Sequence, residues 1–260
     1  MLEWIARGLR KGRITTRYPR ERETPPSGFH GPVAVLDALN ADRELEWCCP
    51  TGAITVDDGR LALDRGRCIQ CGECVRAAPH RFSYLHRYGT AVRARQSLVV
   101  GAIDPPAHEP VRRTLAEQAR RLRRSIHVRH IDTGSDGAEE WEIQALWNPY
   151  YDIQRLGFFL TSSPRHADIL IVTGGVTGPM RGPLERTWEI MPEPKALVAA
   201  GTDACSGGLS ADWNPTRPTA GGVDTVLPVD VYVPGSPPSP IALLDGLLMA
   251  VGLLGDGGRA

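Results

Sequence analysis

The chain has 260 residues, 42% of them apolar, and its 30 basic side chains balance 30 acidic ones. That length allows two domains, and a neutral charge balance offers nucleic acid no electrostatic footing. The longest apolar stretch, Pro240 to Leu254, is broken by Asp245 and too short to cross a bilayer, so no membrane span is expected.

Taken in order, residues 1 to about 30 read as an arm. Leu2, Ile5 and Leu9 stand at helical spacing, but Arg7, Arg10, Lys11 and Arg13 interrupt them, so there is no signal-peptide core. The run Pro25-Pro26-Ser27-Gly28 follows, and so little apolar area is expected either to stay mobile or to lie across another subunit. A membrane surface is the lower-ranked resting place for the stripe.

Residues 31–95 form a small unit. Ala53 to Val56 and Leu61 to Leu63 are expected strands of a hairpin turning at Asp57-Asp58-Gly59. The chemistry sits in Cys68-Ile69-Gln70-Cys71-Gly72-Glu73-Cys74, read together with Cys49-Pro50. Three cysteines at two-residue intervals let one turn of backbone offer three thiolates to a 4Fe-4S cube, leaving one iron to a ligand from elsewhere, for which Cys49 is the candidate. A zinc site, which usually pairs separated knuckles, and a disulfide set are the alternatives. Cys48 is expected to be a buried small residue rather than a ligand. The need of the cysteines for a reducing compartment points to the cytoplasm.

These residues resemble a bacterial two-cluster ferredoxin domain that has lost one cluster. The family pattern C-x2-C-x2-C-x3-C-P, whose last cysteine serves the other cluster, would place cysteines at Leu39, Asp42, Leu45 and Ala78 as well. Those four would have held one cluster together; the complementary four, Cys49, Cys68, Cys71 and Cys74, are kept. The resemblance therefore implies one 4Fe-4S cluster, with Leu39, Leu45 and Ala78 filling the vacated space.

Asp104-Pro105-Pro106 marks a break, and residues 96–124 read as a linker with a basic helix over Val111 to Arg124, its six arginines mostly a solvated face. From 125 to 256 the pattern becomes α/β. Ile126 to Ile131, Ala167 to Val172, Ala196 to Ala200 and Val226 to Val233 are expected strands; Glu139 to Leu146, Gly182 to Met191 and Ile241 to Leu254 are expected helices. Such alternation implies a parallel sheet covered by helices in three layers, with the loops at the carboxyl ends of the strands converging on one site.

His130-Ile131-Asp132-Thr133-Gly134-Ser135, Asn148-Pro149-Tyr150-Tyr151-Asp152, Ser163-Pro164-Arg165-His166-Ala167-Asp168, Met191-Pro192-Glu193-Pro194-Lys195 and the run Pro228 to Gly235 resemble the B-type subunit of respiratory complex I, the NADH-quinone oxidoreductase. They are more similar still to the small subunit of group 4, formate hydrogenlyase-type nickel-iron hydrogenases. With a first half similar to the ferredoxin subunit of the same complexes, the chain looks like a fusion of two neighbouring subunits. The family holds a 4Fe-4S cluster in the second domain; here Asp136, Glu139, Asp203 and Ser236 stand at its four cysteine positions, and Cys205 is two residues off. Carboxylates and a hydroxyl suit hard cations or protons, not iron and sulfide. The resemblance implies an electron-transfer subunit, without a complete active site of its own, on the inner face of the cell membrane. Its partners would be a hydrogenase or complex I-like large subunit and membrane-arm subunits. The alternative is a structural docking subunit whose carboxylate site handles protons or a cation.

Overall fold

A computed structural model describes residues 3–21, 23–101, 125–209 and 219–252; the helix expected over Val111 to Arg124 lies outside them. Helix α1 (Glu3–Lys11) has its acid in the first turn and Arg10 and Lys11 in the last, matching the helix dipole, and buries none of its residues. The arm beyond it is hydrogen-bonded to this same chain. The Thr16 N–H donates to the Tyr150 carbonyl at 2.8 Å, the Thr15 hydroxyl donates to the Pro149 carbonyl at 3.0 Å, and Arg155 donates to the Tyr18 carbonyl.

Strand β1 (Val33–Val35) opens the small unit, followed by the hairpin of β2 (Ile54–Asp57) and β3 (Arg60–Asp64). Asp58 and Gly59 both take positive φ, 46° and 70°, the two-residue turn whose twist suits a hairpin. Alternation in β2 turns Ile54 and Val56 inward and Thr55 and Asp57 outward. Helix α2 (Glu73–Ala77) and β4 (Phe82–Tyr84) follow; β4 pairs antiparallel with β1, and β5 (Val99–Val100) pairs antiparallel with β3. Val33, Ile54, Leu61, Leu63, Ala78 and Phe82 make the core of this unit, and Leu45 packs against it. Ala78 and Leu45 are thus packed into this core, whereas Leu39 is 60% exposed and fills no space in it.

The second unit is a five-stranded, wholly parallel sheet in the order β10-β9-β8-β6-β7. Its strands are β6 (Ile126–Asp132), β7 (Phe158–Leu160), β8 (Ile169–Thr173), β9 (Ala196–Ala200) and β10 (Val231–Val233). Helices α3 (Ala138–Ala145), α4 (Gly178–Ile190), α5 (Thr202–Ser206) and α6 (Pro240–Ala250) alternate with them. In β8, Ile169 and Ile171 enter one core with α3 and α6, while Leu170 and Val172 enter a second core with Leu184 of α4 and Ala204 of α5. A strand buried on both faces reads as a continuous apolar run, which is why Ile169 to Val172 has no polar position. The fold is therefore α/β, three layers deep.

The two units touch along several contacts. Val92 exchanges both backbone hydrogen bonds with Tyr232, at 2.9 and 2.8 Å, along the outer edge of β10. Leu98 from the small unit enters the second core of the sheet. Arg95 forks onto both carboxylate oxygens of Asp64, at 2.8 and 2.6 Å, while its Nε donates to the Cys205 carbonyl at 3.2 Å.

Candidate functional site

Cys49, Cys68, Cys71 and Cys74 are brought together: all four, with Cys48, line one cleft walled by Val33, Ile54 and Leu63. The loop from Cys68 to Cys74 curls because Gln70 and Gly72 take φ of 58° and 79°. Gly72 is required twice over, since a Cβ there would stand 2.1 Å from the Tyr84 hydroxyl oxygen. Backbone donors point at the sulfurs: the Ala53 N–H reaches Cys49 Sγ at 3.2 Å and the Gln70 N–H reaches Cys68 Sγ at 3.4 Å. Burial, reinforced by neighbouring thiols, pushes the Cys68 thiol up to about 11 and the Cys74 thiol up to about 12. Buried thiols crowded in this way ionise only against a strong positive centre. Cys48 is half-buried, not buried as expected, and its thiol donates to the Leu45 carbonyl at 3.0 Å.

Among the described residues no group of three or more His, Cys, Asp and Glu side chains closes on a single metal ion. A cube takes one thiolate at each iron, so its ligands stand apart around a body. Four cysteines lining one cleft are the number of thiolates that a cube requires.

At the carboxyl ends of β6, β8, β9 and β10 the loops do converge. Thr133 donates through its N–H to the Thr173 carbonyl at 2.9 Å; Thr177 donates to the Thr133 carbonyl at 3.1 Å; Thr202 donates to the Gly235 carbonyl at 2.7 Å. A Cβ on Gly174 would stand 2.2 Å from the Ser135 nitrogen, so those two loops touch backbone to backbone. Glu139 is 3% exposed, and its carboxylate lies against Gly201, where a Cβ would meet Oε1 at 2.6 Å. Its Oε2 has no hydrogen-bond partner among the described residues. Burial first, then the nearby Asp203 and Asp136, raises the Glu139 pKa to about 7; burial and Asp136 raise Asp203 to about 6. Asp136 itself is exposed and accepts the Ala138 N–H at 2.9 Å. Ser236 does not join them: it is exposed, and it is the carbonyls of Val233 and Gly235 that accept from the Gly201 and Thr202 N–H groups. The carboxylates thus converge as a pair with Asp136 as a neighbour, an arrangement suited to holding a proton.

Two features escape sequence reading. His130 Nε2 stands 2.9 Å from Thr173 Oγ1 and 3.4 Å from Glu140 Oε1, and Glu140 also accepts from the Ser135 hydroxyl at 2.8 Å. Burial is the main cause holding the His130 pKa below its usual value. Each partner comes from a different strand, loop or helix, so no local spacing announces the network. The second is a bond between the two sites, in which the Thr202 hydroxyl donates to the Cys68 carbonyl at 3.1 Å.

A parallel sheet covered on both faces, with a polar loop cluster at the carboxyl ends of its strands, defines an α/β protein of the class that works at that end. The family described as NADH ubiquinone oxidoreductase, 20 Kd subunit, matches residues 137–250. The chain belongs to that family. It is 43% identical over 143 residues to formate hydrogenlyase subunit 7 of Escherichia coli strain K12, covering 54% of this chain and 53% of that protein. It therefore spans about half the length of that relative. A probable membrane-bound hydrogenase subunit of Pyrococcus furiosus is 40% identical over 137 residues, covering 53% of this chain and 80% of that protein. The B-type subunit of the NADH-quinone oxidoreductase of Heliobacterium modesticaldum is 47% identical over 108 residues, covering 41% of this chain and 60% of that protein.

Proposed function

We propose that the chain is an electron-transfer subunit of a membrane-associated, hydrogenase-related oxidoreductase of the complex I type, with one 4Fe-4S cluster on Cys49, Cys68, Cys71 and Cys74. The observation that carries this reading is the gathering of those four sulfurs, from two separate stretches of chain, in one otherwise apolar cleft. Bound there, the cluster supplies one-electron storage and transfer. The chain contributes the rest: N–H groups of Ala53 and Gln70 offset thiolate charge, and Val33, Ile54 and Leu63 keep water away. The site opens on its Cys71 side, where a partner's redox group has access.

In this reading residues 31–95, with β5 completing their sheet, are a ferredoxin-type domain, fused through the rest of residues 96–124 to a family domain over residues 125–256. The second domain carries no cluster, because Asp136, Glu139, Asp203 and Ser236 offer no thiolate. Partners are a large subunit and membrane-arm subunits, at the inner face of the cell membrane. Anaerobic analysis of the purified chain should find about four iron and four sulfide per molecule. Cys71→Ser should abolish the native cluster's electron paramagnetic signal. A content near eight, or a Cys71→Ser protein with an unaltered signal, would overturn the assignment.

A second reading is favoured by one observation, the buried and unpartnered Oε2 of Glu139 among the described residues. Here the chain docks a large subunit structurally, and the Glu139 and Asp203 pair holds a proton. A redox titration separates the two: reduction that keeps pace with turnover supports electron transfer, and a cluster that never changes state supports docking.

A further inference from the structure

We propose that α1 is an interfacial anchor, lying in the headgroup layer of an anionic lipid surface. The helix buries none of its residues against the molecule, and Trp4 and Leu9 are 69% and 81% exposed. Water exacts a cost for apolar area left open in this way, so the face needs an occupant. At 3.6 residues per turn, Trp4, Gly8, Ile5 and Leu9 fall in one arc about 140° wide. Arg7, Arg10 and Lys11 fall in the remaining arc with Glu3 as its one acid, and Arg13 follows the last turn.

The charge pattern selects lipid over protein. A helix that docks in a protein groove is read through apolar anchors at i, i+3, i+4 and i+7, and α1 supplies no such series, since Lys11 and Gly12 stand seven residues after Trp4 and Ile5. This polar arc carries three cations against one acid, a net positive face that suits a plane of negative headgroups of no fixed register. Lys11 borders the arc on the Trp4 side, where its stem can cover acyl carbon while the ammonium stays at the phosphates. Trp4 sits at the edge of the apolar arc, the position an indole takes at a membrane boundary. Nine residues are too few for a helix to be stable alone in water, so a surface that absorbs one face also supplies its order. The anchor has a fixed site on the molecule, because residues 15 and 16 are hydrogen-bonded to the carbonyls of Pro149 and Tyr150. Among the described residues no helix is long and apolar enough to cross a membrane, so attachment through α1 is to a surface.

The test is flotation of the full chain with vesicles of phosphatidylcholine alone and of phosphatidylcholine mixed with phosphatidylglycerol. Binding is expected only to the anionic vesicles, and raising salt from about 0.05 M to about 0.5 M should release the protein. Leu9→Glu should weaken binding at least about tenfold, the loss that follows from forfeiting one buried leucine. Arg7→Glu with Arg10→Glu should weaken it as much. Because α1 contributes nothing to the core, thermal unfolding of these variants should match that of the parent. Equal binding to neutral and anionic vesicles, or Leu9→Glu bound as tightly as the parent, would overturn the proposal. So would failure to float while α1 variants lose a protein partner in lipid-free detergent, which would make the face a protein-docking surface.

Discussion

Glu139 stands almost wholly buried with Asp203 beside it, and burial lifts its pKa from 4.5 to about 7. The sign follows from proton counting. Between those two values the folded chain holds a proton that the unfolded chain has released, so stability is full below about pH 4.5 and declines as pH rises to about 7. Above that, charging the buried carboxylate costs on the order of 3 kcal/mol. Glu139→Gln keeps the shape and removes the charge. Urea unfolding should find the variant more stable than the parent by about that amount near pH 8 and equal to it near pH 4. An equal difference at both values would mean that the site is not holding a proton. Asp203, raised to about 6, adds to the same slope over a lower window.

At the level of elements, α6 is buried on every side, so its packing rather than its helix propensity decides what it tolerates. Gly246→Ala is the informative change. In an exposed helix it would stabilise by about 1 kcal/mol. Here the new Cβ would meet Val233 Cγ2 at 2.3 Å, inside a close-packed interface with β10. Overpacking of that kind costs about 1–3 kcal/mol, so the clash wins and the melting temperature should fall. A rise would mean that α6 moves freely on the sheet. The apolar runs of β8 and β9 were legible because buried parallel strands carry no polar interruption. β7 was not legible: Phe158–Leu160 is three residues long and its last member is half exposed. β10 begins five residues later than the apolar pattern implied, because Pro228 cannot donate to a ladder and Val223–Thr225 forms a tight turn instead. In the sites, the four clustered cysteines and the three carboxylates could be found from spacing and resemblance. The exposure of Ser236, like the contact of Glu139 with Gly201, depends on how loops lie in space and has no local signature.

Over the whole molecule, Arg95 holds the small unit to the sheet through Asp64 on one side and the Cys205 carbonyl on the other. Arg95→Ala would leave a largely buried Asp64 carboxylate without its fork, at a cost of roughly 2–3 kcal/mol. Hydrogen exchange should then quicken in β2 and β3 while β6 and β8 stay protected, since the two inner strands have cores of their own. Uniform loosening of all four strands would show instead that both units unfold as one.

The pairing of Val92 with Tyr232 has a consequence for assembly. Both residues belong to one chain, so the contact closes as a unimolecular event whose local concentration is set by tether length, not by how much protein a cell makes. Dilution cannot part them, and neither half can be left in excess. Were the same strand edge sealed by a separate polypeptide, its occupancy would follow mass action, and empty edges would be open to pairing with each other. Carried on one chain, the cysteine cleft and the carboxylate pair arrive at any larger assembly in a fixed one-to-one ratio.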